Sequence, residues 1–539
     1  MAEYYQEPFT DEERSLLSRF FTNVDGPVFA LVNLPEVVKG ALFARYSRSH
    51  KSARRLFLDE FLAEPEVGIQ ALASRLSEHD PLVSLKRAEQ LYDRVFFEYG
   101  DDSVAQMGGA HLACEQASNI LSKVLEWGRL AGYLEQSTRY VAYDDLLGGR
   151  YRYFNPAEIA ESELRGDYSA YMEYLFALYS ELLASLIADL SEEFPRHDDD
   201  PKWVWRASIR AKACDVLRGL LPASTLANVG IYATGQAYEM ALVRMRAHPL
   251  REVTEYSDLM LTELRKVIPS FLRRVDLPDR GDRWSGYLAD VESRLAATVD
   301  ELVSDEPKPR PAVTLVDFDP EAEIKLVAAA LYARTELPDD QLLELARQLS
   351  REEQVQVLAA FVGDRANRRH KPGRAMERSF YRFDVLCDYG AFRDLQRHRM
   401  MTIEWQRLGT RLGYDTPAEI ERRGLAGRWH EAMERGGELY ERTRSALGPD
   451  VASYVVPLAY NIRFVMELNA RQAFHLIELR SQPAGHPAYR KICHDMHRLI
   501  RGEAGHQLIA EAMSYVDYSA PELERLEGER KAETKRASI

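Results

Sequence analysis

The sequence predicts an α+β protein built from two tandem repeats, each mainly helical with a small antiparallel or mixed sheet. The first observation is an internal duplication: residues 156–179 align with residues 417–440 at a constant offset of 261, with ten identities over 24 positions. The second is that apolar residues recur mostly at helical spacing, while strand-like alternation is confined to short runs. Together they indicate that one mixed unit has been duplicated within a chain of 539 residues.

The predicted elements follow in a similar mixed order along both halves. Residues 28–32 form the first strand candidate, and residues 313–318 and 381–385 form two more in the second half. Residues 323–332 form a helix candidate. Five leucines that step by three and four residues predict one apolar helix stripe: Leu175, Leu178, Leu182, Leu186 and Leu190. We also expect the polar residues within 219–238 to be satisfied inside a packed helix of a soluble protein, because they interrupt any membrane-spanning run.

A proline-rich stretch separates the two halves. Pro307, Pro309 and Pro311 alternate with other residues, which favours an extended connector and cannot continue a helix. We therefore expect a first repeat at residues 1–300, a linker at 301–313 and a second repeat at 314–518. The mostly charged residues 519–539 predict a solvated helix or a frayed tail.

Composition excludes several classes of protein. A hydrophobic content of 46% excludes disorder as the dominant state, and 70 Lys+Arg against 85 Asp+Glu leave a net charge of -15. That balance predicts no nucleic-acid partner, since non-specific binding to a phosphate backbone depends on a basic surface. Four cysteines form no CxxC pair, and the acidic N-terminus lacks the pattern of a signal peptide. We expect a cytoplasmic protein with no membrane partner.

Two local patterns predict structure rather than chemistry. His494 and His497 lie close to Cys493, but two histidines at this spacing without further ligands are more typical of a polar helix face, so we expect no metal. The glycine pairs at 108–109 and 148–149 lack the spacing of a nucleotide-binding loop. We expect them to form turns or close packing points.

The most informative segment is basic. Arg397-His398-Arg399 follows a run that contains Arg368, Lys371 and Arg374. Guanidinium groups bind phosphates and carboxylates in bidentate fashion, so this segment is a candidate site for an anionic ligand. On spacing alone, a solvated basic helix face is an equal alternative.

The second half also resembles a known family. Arg397-His398-Arg399 resembles the Arg-His-Arg signature of the flavin-dependent thymidylate synthases. Asn469-Ala470-Arg471, followed by His475 and Arg480, resembles the downstream flavin and nucleotide segment of that family.

The first half resembles other parts of the same family pattern. The run from Glu135 through Ser137 and Arg139 to Tyr140 resembles the Ser-x-Arg-Tyr end of the signature, and residues 218–222, beginning with Arg218, resemble its Arg-x-x-Leu-Pro segment. Residues 101–106, which include Ser103, are a weak echo of a further stretch. The resemblance therefore covers most of both repeats.

The departures from the pattern are complementary. The first repeat has Trp127-Gly128-Arg129 in place of Arg-His-Arg but keeps Ser137, Arg139 and Tyr140. The second repeat keeps Arg-His-Arg but has Arg407, Gly409 and Thr410 where Ser, Arg and Tyr belong. Because the family shares its active sites between subunits of a homotetramer, the resemblance implies one composite site from both repeats, in a homodimer that mimics the tetramer.

The chemistry that the resemblance implies is the reductive methylation of dUMP to dTMP. FAD would be the cofactor, with NADPH and methylenetetrahydrofolate as co-substrates. The implied catalytic residues are Arg480 and Arg397. The implied cofactor-binding residues are Arg397, His398, Arg399, Asn469, Arg471, His475 and Ser103. The implied nucleotide-binding residues are Glu135, Ser137, Arg139, Arg218, Arg244 and Arg480.

Two alternatives remain open. The first is a divergent flavoenzyme that acts on another pyrimidine nucleotide, which Glu404 and Trp405 in the signature loop favour. The second is a non-catalytic paralogue that binds flavin or nucleotide, which the eroded motifs favour. Independent decay would scatter the losses at random, so the complementary pattern favours catalysis.

Overall fold

The computed structural model describes residues 4–34, 39, 42–43, 45–47, 49–62, 109–198, 200–304 and 308–520, together with 523, 526, 528 and 530. The chain forms two compact units. Unit 1 consists of Met1–Glu181, Leu221–Glu306 and Glu434–Val456, and unit 2 consists of Leu182–Leu220, Pro307–Met433 and Pro457–Ile539. Each unit therefore takes one segment from the other half of the sequence, so the compact units do not follow the predicted repeat boundaries. Those boundaries stay a prediction.

Each unit contains one antiparallel sheet of four strands. The strands of unit 1 are β1 (Val28–Leu31), β2 (Gly109–Ser118), β3 (Ala131–Glu135) and β4 (Leu226–Thr234), in the order β1-β2-β4-β3. The strands of unit 2 are β5 (Val313–Phe318), β6 (Tyr381–Asp388), β7 (Thr402–Trp405) and β8 (Asn461–Leu468), in the order β5-β6-β8-β7. The identical strand order confirms the predicted α+β class with tandem repeats.

Helices account for most of the remaining regular structure. In the first half they are α1 (Asp11–Leu17), α2 (Ala53–Leu56), α3 (Asn119–Leu125), α4 (Ala157–Ala160), α5 (Arg165–Glu193), α6 (Lys202–Leu217), α7 (Gly235–Arg246), α8 (Arg251–Leu264) and α9 (Gly281–Leu302). In the second half they are α10 (Ala322–Tyr332), α11 (Asp339–Gln348), α12 (Arg351–Val362), α13 (Tyr389–Gln396), α14 (Ala418–Arg422), α15 (Ala426–Leu447), α16 (Pro449–Ala452), α17 (Ala470–Arg480), α18 (Pro487–Gly502) and α19 (Gln507–Ala512). Short 3₁₀ turns lie at Arg218–Leu220, Pro269–Leu272, Arg374–Glu377 and Ser453–Val455, and a π-helical turn lies at Phe57–Phe61.

The three predicted strands and the predicted helix are confirmed as β1, β5, β6 and α10. The packed helix expected within 219–238 is wrong, because residues 226–234 in the middle of that stretch form β4. This strand pairs with β2 on one side and β3 on the other, so its polar backbone is satisfied by neighbours far away in sequence.

The leucine stripe lies on α5, and all five of its leucines are buried. By length and composition alone this helix could cross a membrane, but the core helix of a soluble protein passes the same test. The buried leucines lie on one side of α5, as on the packed side of a core helix.

The predicted linker and tail are described in part. Helix α9 ends at Leu302 and β5 begins at Val313, which are close to the two ends of the predicted linker. In the tail, Arg530 forms a bidentate ion pair with the buried Asp200, with Nε–Oδ1 and Nη2–Oδ2 distances of 2.5 and 2.8 Å. Within unit 2 this arginine is therefore bound to the protein.

The glycine pairs behave as expected where they are described. Gly148 and Gly149 adopt φ angles of 60° and 83°, which favour glycine in a turn. A Cβ atom at Gly109 would lie 2.9 Å from the carbonyl oxygen of Ala233 on β4, so this position is a close packing point. Gly108 lies outside the described residues.

Candidate active site

The Arg-His-Arg segment of unit 2 follows a short, buried helix. Strand β6 ends at Asp388, whose carboxylate caps α13 by accepting a hydrogen bond from the backbone N–H of Ala391 at 2.9 Å. The helix ends at Gln396, and the turn that follows exposes Arg397 and buries His398. A buried imidazole between two arginines is therefore a consequence of where α13 ends.

Burial and an arginine from α17 hold His398 in a neutral state. The Nε of Arg480 donates a hydrogen bond to Nε2 of His398 at 2.9 Å, and the amide nitrogen of Gln472 lies 3.4 Å from Nδ1 of the same ring. Burial, together with the charges of Arg480 and neighbouring cations, lowers the pKa of His398 well below its usual value. The imidazole therefore serves as a hydrogen-bonding group rather than a cation.

Arg480 is fixed in place by further contacts. Its Nη2 donates to the backbone oxygen of Asp394 at 2.6 Å, and its Nη1 lies 3.6 Å from the carboxylate of the same residue. Its guanidinium carbon lies 5.3 Å from the centre of the Tyr489 ring, within cation–π range. This arginine has one preferred orientation, which is the condition for precise binding of a ligand.

A buried ion network lies behind Arg480. Arg218, from the first half of the sequence, places Nη1 3.2 Å from Asp394 and Nη2 3.4 Å from Asp388. Burial raises the pKa of Asp388 to about 6, and the charge of Arg218 opposes that rise. Within unit 2, residues from both halves of the sequence thus support the helix that carries Arg-His-Arg.

A group of cations surrounds His475. This ring lies 5.2 Å from the ring of His398, centre to centre, in an edge-to-face arrangement. Burial first, and then the charges of Lys371, Arg480 and other arginines, lower the pKa of His475 to about 4. The pKa of Lys371 is itself lowered by burial and by Arg471. Crowded cations of this kind are typical of a site for an anionic ligand.

The other two predicted cofactor-binding residues of α17 have structural contacts. Asn469 caps the helix by accepting a hydrogen bond from the N–H of Gln472 at 2.9 Å. Arg471 donates to the carbonyl oxygen of Pro372 and to Glu377, both at 3.0 Å. These contacts tie the basic residues 368–374 to the start of α17.

Sequence comparison assigns the chain to a family. A sequence profile described as "thymidylate synthase complementing protein" matches residues 49–270 and 314–504, well over half of the chain. The chain belongs to this family. One matched region lies in each half, in agreement with the internal duplication.

Three relatives align over nearly their whole lengths. A UPF0159 protein of Chlamydia muridarum is 39% identical over 525 residues, which cover 97% of this chain and 98% of the relative. A UPF0159 protein of Chlamydia pneumoniae is 38% identical over 533 residues, with 98% and 99% covered. A UPF0159 protein of Thermoplasma acidophilum is 30% identical over 527 residues, with 93% and 99% covered. Each alignment therefore covers nearly the whole of this chain and of the relative, including both halves.

In unit 1, Arg244 occupies the position that corresponds to Arg480 of unit 2. Arg244 donates through Nη2 to the carbonyl oxygen of Val124 at 3.0 Å, which repeats the contact between Arg480 and Asp394 in unit 2. Its guanidinium lies over the ring of Trp127 at 4.1 Å. Burial lowers the pKa of Arg244 to about 10. The arginine is kept, but an indole takes the place of the first signature arginine.

In unit 1 a glycine takes the place of the signature histidine. A Cβ atom at Gly128, which corresponds to His398, would lie 2.7 Å from the hydroxyl of Tyr133. The neighbouring cavity, lined by apolar residues such as Leu125 and Met245, has a volume of about 30 Å³. That is about the space of one water molecule, so it does not hold a nucleotide.

The predicted nucleotide-binding residues 135–139 also lie in unit 1. The carboxylate of Glu135 is buried 3.2 Å from Nζ of Lys123, which also bonds to Glu126 at 2.5 Å. Ser137 lies in the turn after β3, where its hydroxyl accepts a hydrogen bond from the N–H of the buried Arg139 at 3.3 Å. Glu135 thus has a structural ion-pair partner, and Ser137 is part of a defined turn.

Three predictions about ligands concern other parts of the chain. Ser103 lies outside the described residues. His494 donates a hydrogen bond through Nε2 to the carbonyl oxygen of Asp517 at 2.7 Å, and His497 donates through Nε2 to that of Ala510 at 2.9 Å. Among the described residues, no group of three or more His, Cys, Asp or Glu side chains is arranged to hold a metal ion.

Several residues of the site were not assigned from the sequence. Asp394 joins Arg218 to Arg480, and Gln472 faces His398. Asp388 could have been identified, because an acidic residue between a strand and an apolar helix is a typical N-cap. The partners of Asp394 could not, since they lie far from it in the sequence.

Proposed function

We propose that the chain is a flavin-dependent thymidylate synthase-like enzyme that reductively methylates dUMP to dTMP, with its working Arg-His-Arg site in unit 2. The observation that carries the proposal is the contact between Arg480 and a neutral, buried His398. It joins the two segments that resemble the family's signature. Family membership alone supports only a thymidylate synthase-related protein.

The residues present fit a flavin nucleotide. Burial lowers the pKa of His475 most, and the positive charges of Lys371, Arg480 and Arg471 lower it further. A diphosphate would relieve this repulsion and accept hydrogen bonds from guanidinium groups. We therefore assign Arg397, His398 and Arg399 to binding of FAD, together with Asn469, Arg471 and His475.

In this proposal FAD, reduced by NADPH, supplies the hydride, and methylenetetrahydrofolate supplies the one-carbon group. Arg480 binds the pyrimidine and stabilises negative charge on its ring, since two hydrogen bonds fix its orientation. Arg397 is the second catalytic residue in this proposal. The buried ion pairs of Arg218 hold α13, and through Asp394 they hold Arg480.

A comparison of two matched arginines tests the assignment. The absorbance spectrum of the purified protein is recorded with FAD and then during titration with dUMP. We expect flavin bands near stoichiometric occupancy that shift on addition of dUMP. Arg480→Ala should weaken the dUMP response about tenfold or more, because a hydrogen bond to a charged group is lost. Arg244→Ala, at the corresponding position of unit 1, should leave the response unchanged if Arg480 is the working residue.

The outcomes separate the candidates. A protein that takes up no FAD and does not respond to dUMP contradicts the proposal. If Arg244→Ala loses the dUMP response and Arg480→Ala keeps it, the nucleotide binds at the first repeat, where the sequence also predicts nucleotide-binding residues. A loss with both variants indicates that both arginines contribute.

The first repeat supplies a second test. We propose that Glu135, Ser137, Arg139 and Arg218 contribute to nucleotide binding, and that Ser103 contributes to cofactor binding. Ser137→Ala and Arg397→Ala should then lose the same dUMP response. If Ser137→Ala is silent while Arg397→Ala is not, the two repeats do not share one activity.

A different pyrimidine nucleotide is the second candidate. Glu404 and Trp405, which lie in the signature segment, are the last two residues of β7. The ring centres of Trp405 and Phe392 of α13 lie 5.4 Å apart. These bulky and acidic side chains stand where the family pattern has other residues. Tritium release from C5 of labelled dUMP should occur if dUMP is the substrate. Flavin uptake with no release would favour another nucleotide, and neither would favour a non-catalytic protein.

A further inference from the structure

Helix α9 of unit 1 carries an exposed apolar stripe. Six large apolar side chains on it are between 40% and 73% exposed: Trp284, Tyr287, Val291, Leu295, Val299 and Leu302. They step by three and four residues, so at 100° per residue they lie on one side of the helix. We call this set the α9 stripe.

The stripe is long and continuous. It extends from Trp284 to Leu302, a rise of about 27 Å at 1.5 Å per residue. The start of the helix is held to the described part of unit 1: Gly281 and Ser285 are buried, and the hydroxyl of Ser285 donates to the carbonyl oxygen of Val243 at 2.9 Å. Contiguous apolar surface of this kind marks an interaction site, whereas scattered exposed apolar residues do not.

Charged residues along one edge of the stripe are self-complementary. Arg283, Asp290, Arg294 and Glu301 lie on the same edge, at similar angles around the helix axis. In an antiparallel pair of identical helices, the same edge of each helix meets its copy. Centred near residue 292, such a pair places Arg283 opposite Glu301 and Arg294 opposite Asp290, each twice by symmetry.

A parallel pair does not use these charges. It would bring this edge against the opposite edge of the stripe, where Glu292 is the charged residue of the helix. The charge pattern thus favours the antiparallel arrangement.

A membrane surface fits this helix poorly. Helices that lie on membranes carry Lys and Arg on their polar side. Residues 281–302 contain five acidic residues, Asp282, Asp290, Glu292, Asp300 and Glu301, against two arginines. Such a helix is repelled by anionic lipid.

We propose that a second copy of this chain covers the α9 stripe, with the two α9 helices packed antiparallel about a two-fold axis. The apolar stripes form the centre of the contact, and the two kinds of arginine–carboxylate pair form its edge. This inference stands on unit 1 alone and does not depend on the proposed reaction.

Sedimentation velocity of the full chain tests the proposal. We expect a species of twice the chain mass of 61.7 kDa that dissociates on dilution. Val291→Glu combined with Leu295→Glu should raise the dissociation constant at least about tenfold, since two charges enter the contact of each copy. The matched control is Ala289→Glu with Ser293→Glu, which adds the same charges on the opposite side of α9 and should change nothing.

Charge reversal tests the direction of the helices. Arg283→Glu alone places like charges opposite each other and should weaken the dimer, and addition of Glu301→Arg should restore it. A parallel dimer would show no such rescue, and that result would overturn the arrangement proposed.

Cross-linking tests proximity directly. The four native cysteines are buried, so an introduced surface cysteine reports on its own surroundings. Val291→Cys lies near the two-fold axis and should form an intermolecular disulfide under oxidation, whereas Ser293→Cys should not. A chain that stays monomeric at all concentrations overturns the proposal, as does a dimer that is equally stable in both double variants. Flotation of a monomer with vesicles of phosphatidylcholine and phosphatidylserine would also overturn it, in favour of a membrane surface.

Discussion

At the scale of single residues, a buried acid in unit 1 links stability to pH. Both carboxylate oxygens of Glu252 accept hydrogen bonds from Ser118, from its N–H at 2.9 Å and from its hydroxyl at 2.7 Å, and the hydroxyl of Tyr454 donates to it at 2.7 Å. Burial is the largest influence and raises the pKa of Glu252 to about 7, although these hydrogen bonds oppose it. The carboxyl therefore holds its proton in the folded chain at pH values where the unfolded chain has lost it.

The sign of the pH effect follows from the raised pKa. The contribution of Glu252 to the free energy of unfolding is fully present below its unfolded pKa of 4.5 and is lost as the pH rises to about 7. We expect Glu252→Gln, which cannot ionise, to remove this part of the pH dependence. The difference in unfolding free energy between wild type and variant should change by roughly 3 kcal/mol across that window, in favour of the variant at higher pH. Urea unfolding at several pH values measures it.

A surface residue provides the control for this prediction. Glu192 is exposed on α5, so Glu192→Gln should leave the pH profile of stability unchanged. Parallel profiles for wild type and Glu252→Gln would show that the buried acid is not the source of the effect.

At the scale of elements, helix α13 contacts the 3₁₀ turn Arg218–Leu220 through a glycine. A Cβ atom at Gly390 would lie 2.9 Å from Nε of Arg218 and 2.9 Å from a carboxylate oxygen of Asp388. Alanine normally favours a helix over glycine by about 1 kcal/mol. At Gly390 the close approach of Arg218 reverses this preference, because Arg218 and Asp388 are buried and form an ion pair, so that alanine destabilises the fold.

We expect Gly390→Ala to lower the free energy of unfolding by about 1–3 kcal/mol, since the added methyl group must displace Arg218 from its carboxylates. Urea unfolding at neutral pH is the measurement. Gly427→Ala on α15 is the matched control: a Cβ atom there meets nothing within 4 Å, so this variant should be neutral or slightly stabilising. Equal stability of the two variants would mean that Gly390 is not needed for the contact.

The same elements show how far the sequence could lead. Strands β1, β5 and β6 were predicted because they consist of apolar and polar residues in short alternation or of β-forming residues. Strand β2 was not, because residues 109–118 contain no β-branched and no aromatic residue apart from His111. Strand β4 was mistaken for a helix because its polar Asn228 is satisfied by Gln116 and Gln136, which are remote in sequence.

The candidate site was foreseeable only in part. The resemblance pointed to Arg397-His398-Arg399 and to Arg480, and unit 2 brings His398 and Arg480 into contact. The neutral state of His398 depends on burial and on an arginine 82 positions away, which a local pattern does not contain. The pairing of Arg218 with Asp388 depends on a segment exchange that no spacing rule predicts.

At the scale of the whole molecule, each compact unit is completed by the other half of the sequence. Residues 434–456 belong to unit 1, where Tyr454 donates to Glu252, and residues 182–220 belong to unit 2, where Arg218 pairs with Asp394. Loss of either segment removes one partner of a buried carboxyl group, which is costly. We therefore expect that neither half of the sequence folds independently of the other.

This exchange predicts how the chain responds to being divided. Residues 1–304 expressed alone keep Glu252 but lack Tyr454, and residues 308–539 keep Asp394 but lack Arg218. We expect neither fragment to show a cooperative urea transition, because each lacks a segment that fills the core of a unit. A chain with a protease site inserted at residue 308 and cleaved after folding should instead elute as one species in size-exclusion chromatography. Its urea unfolding transition should match that of the uncut chain. If either fragment alone unfolds cooperatively, the exchanged segments are not required for folding. That result would favour two self-contained repeats with the boundaries that the proline-rich linker suggests.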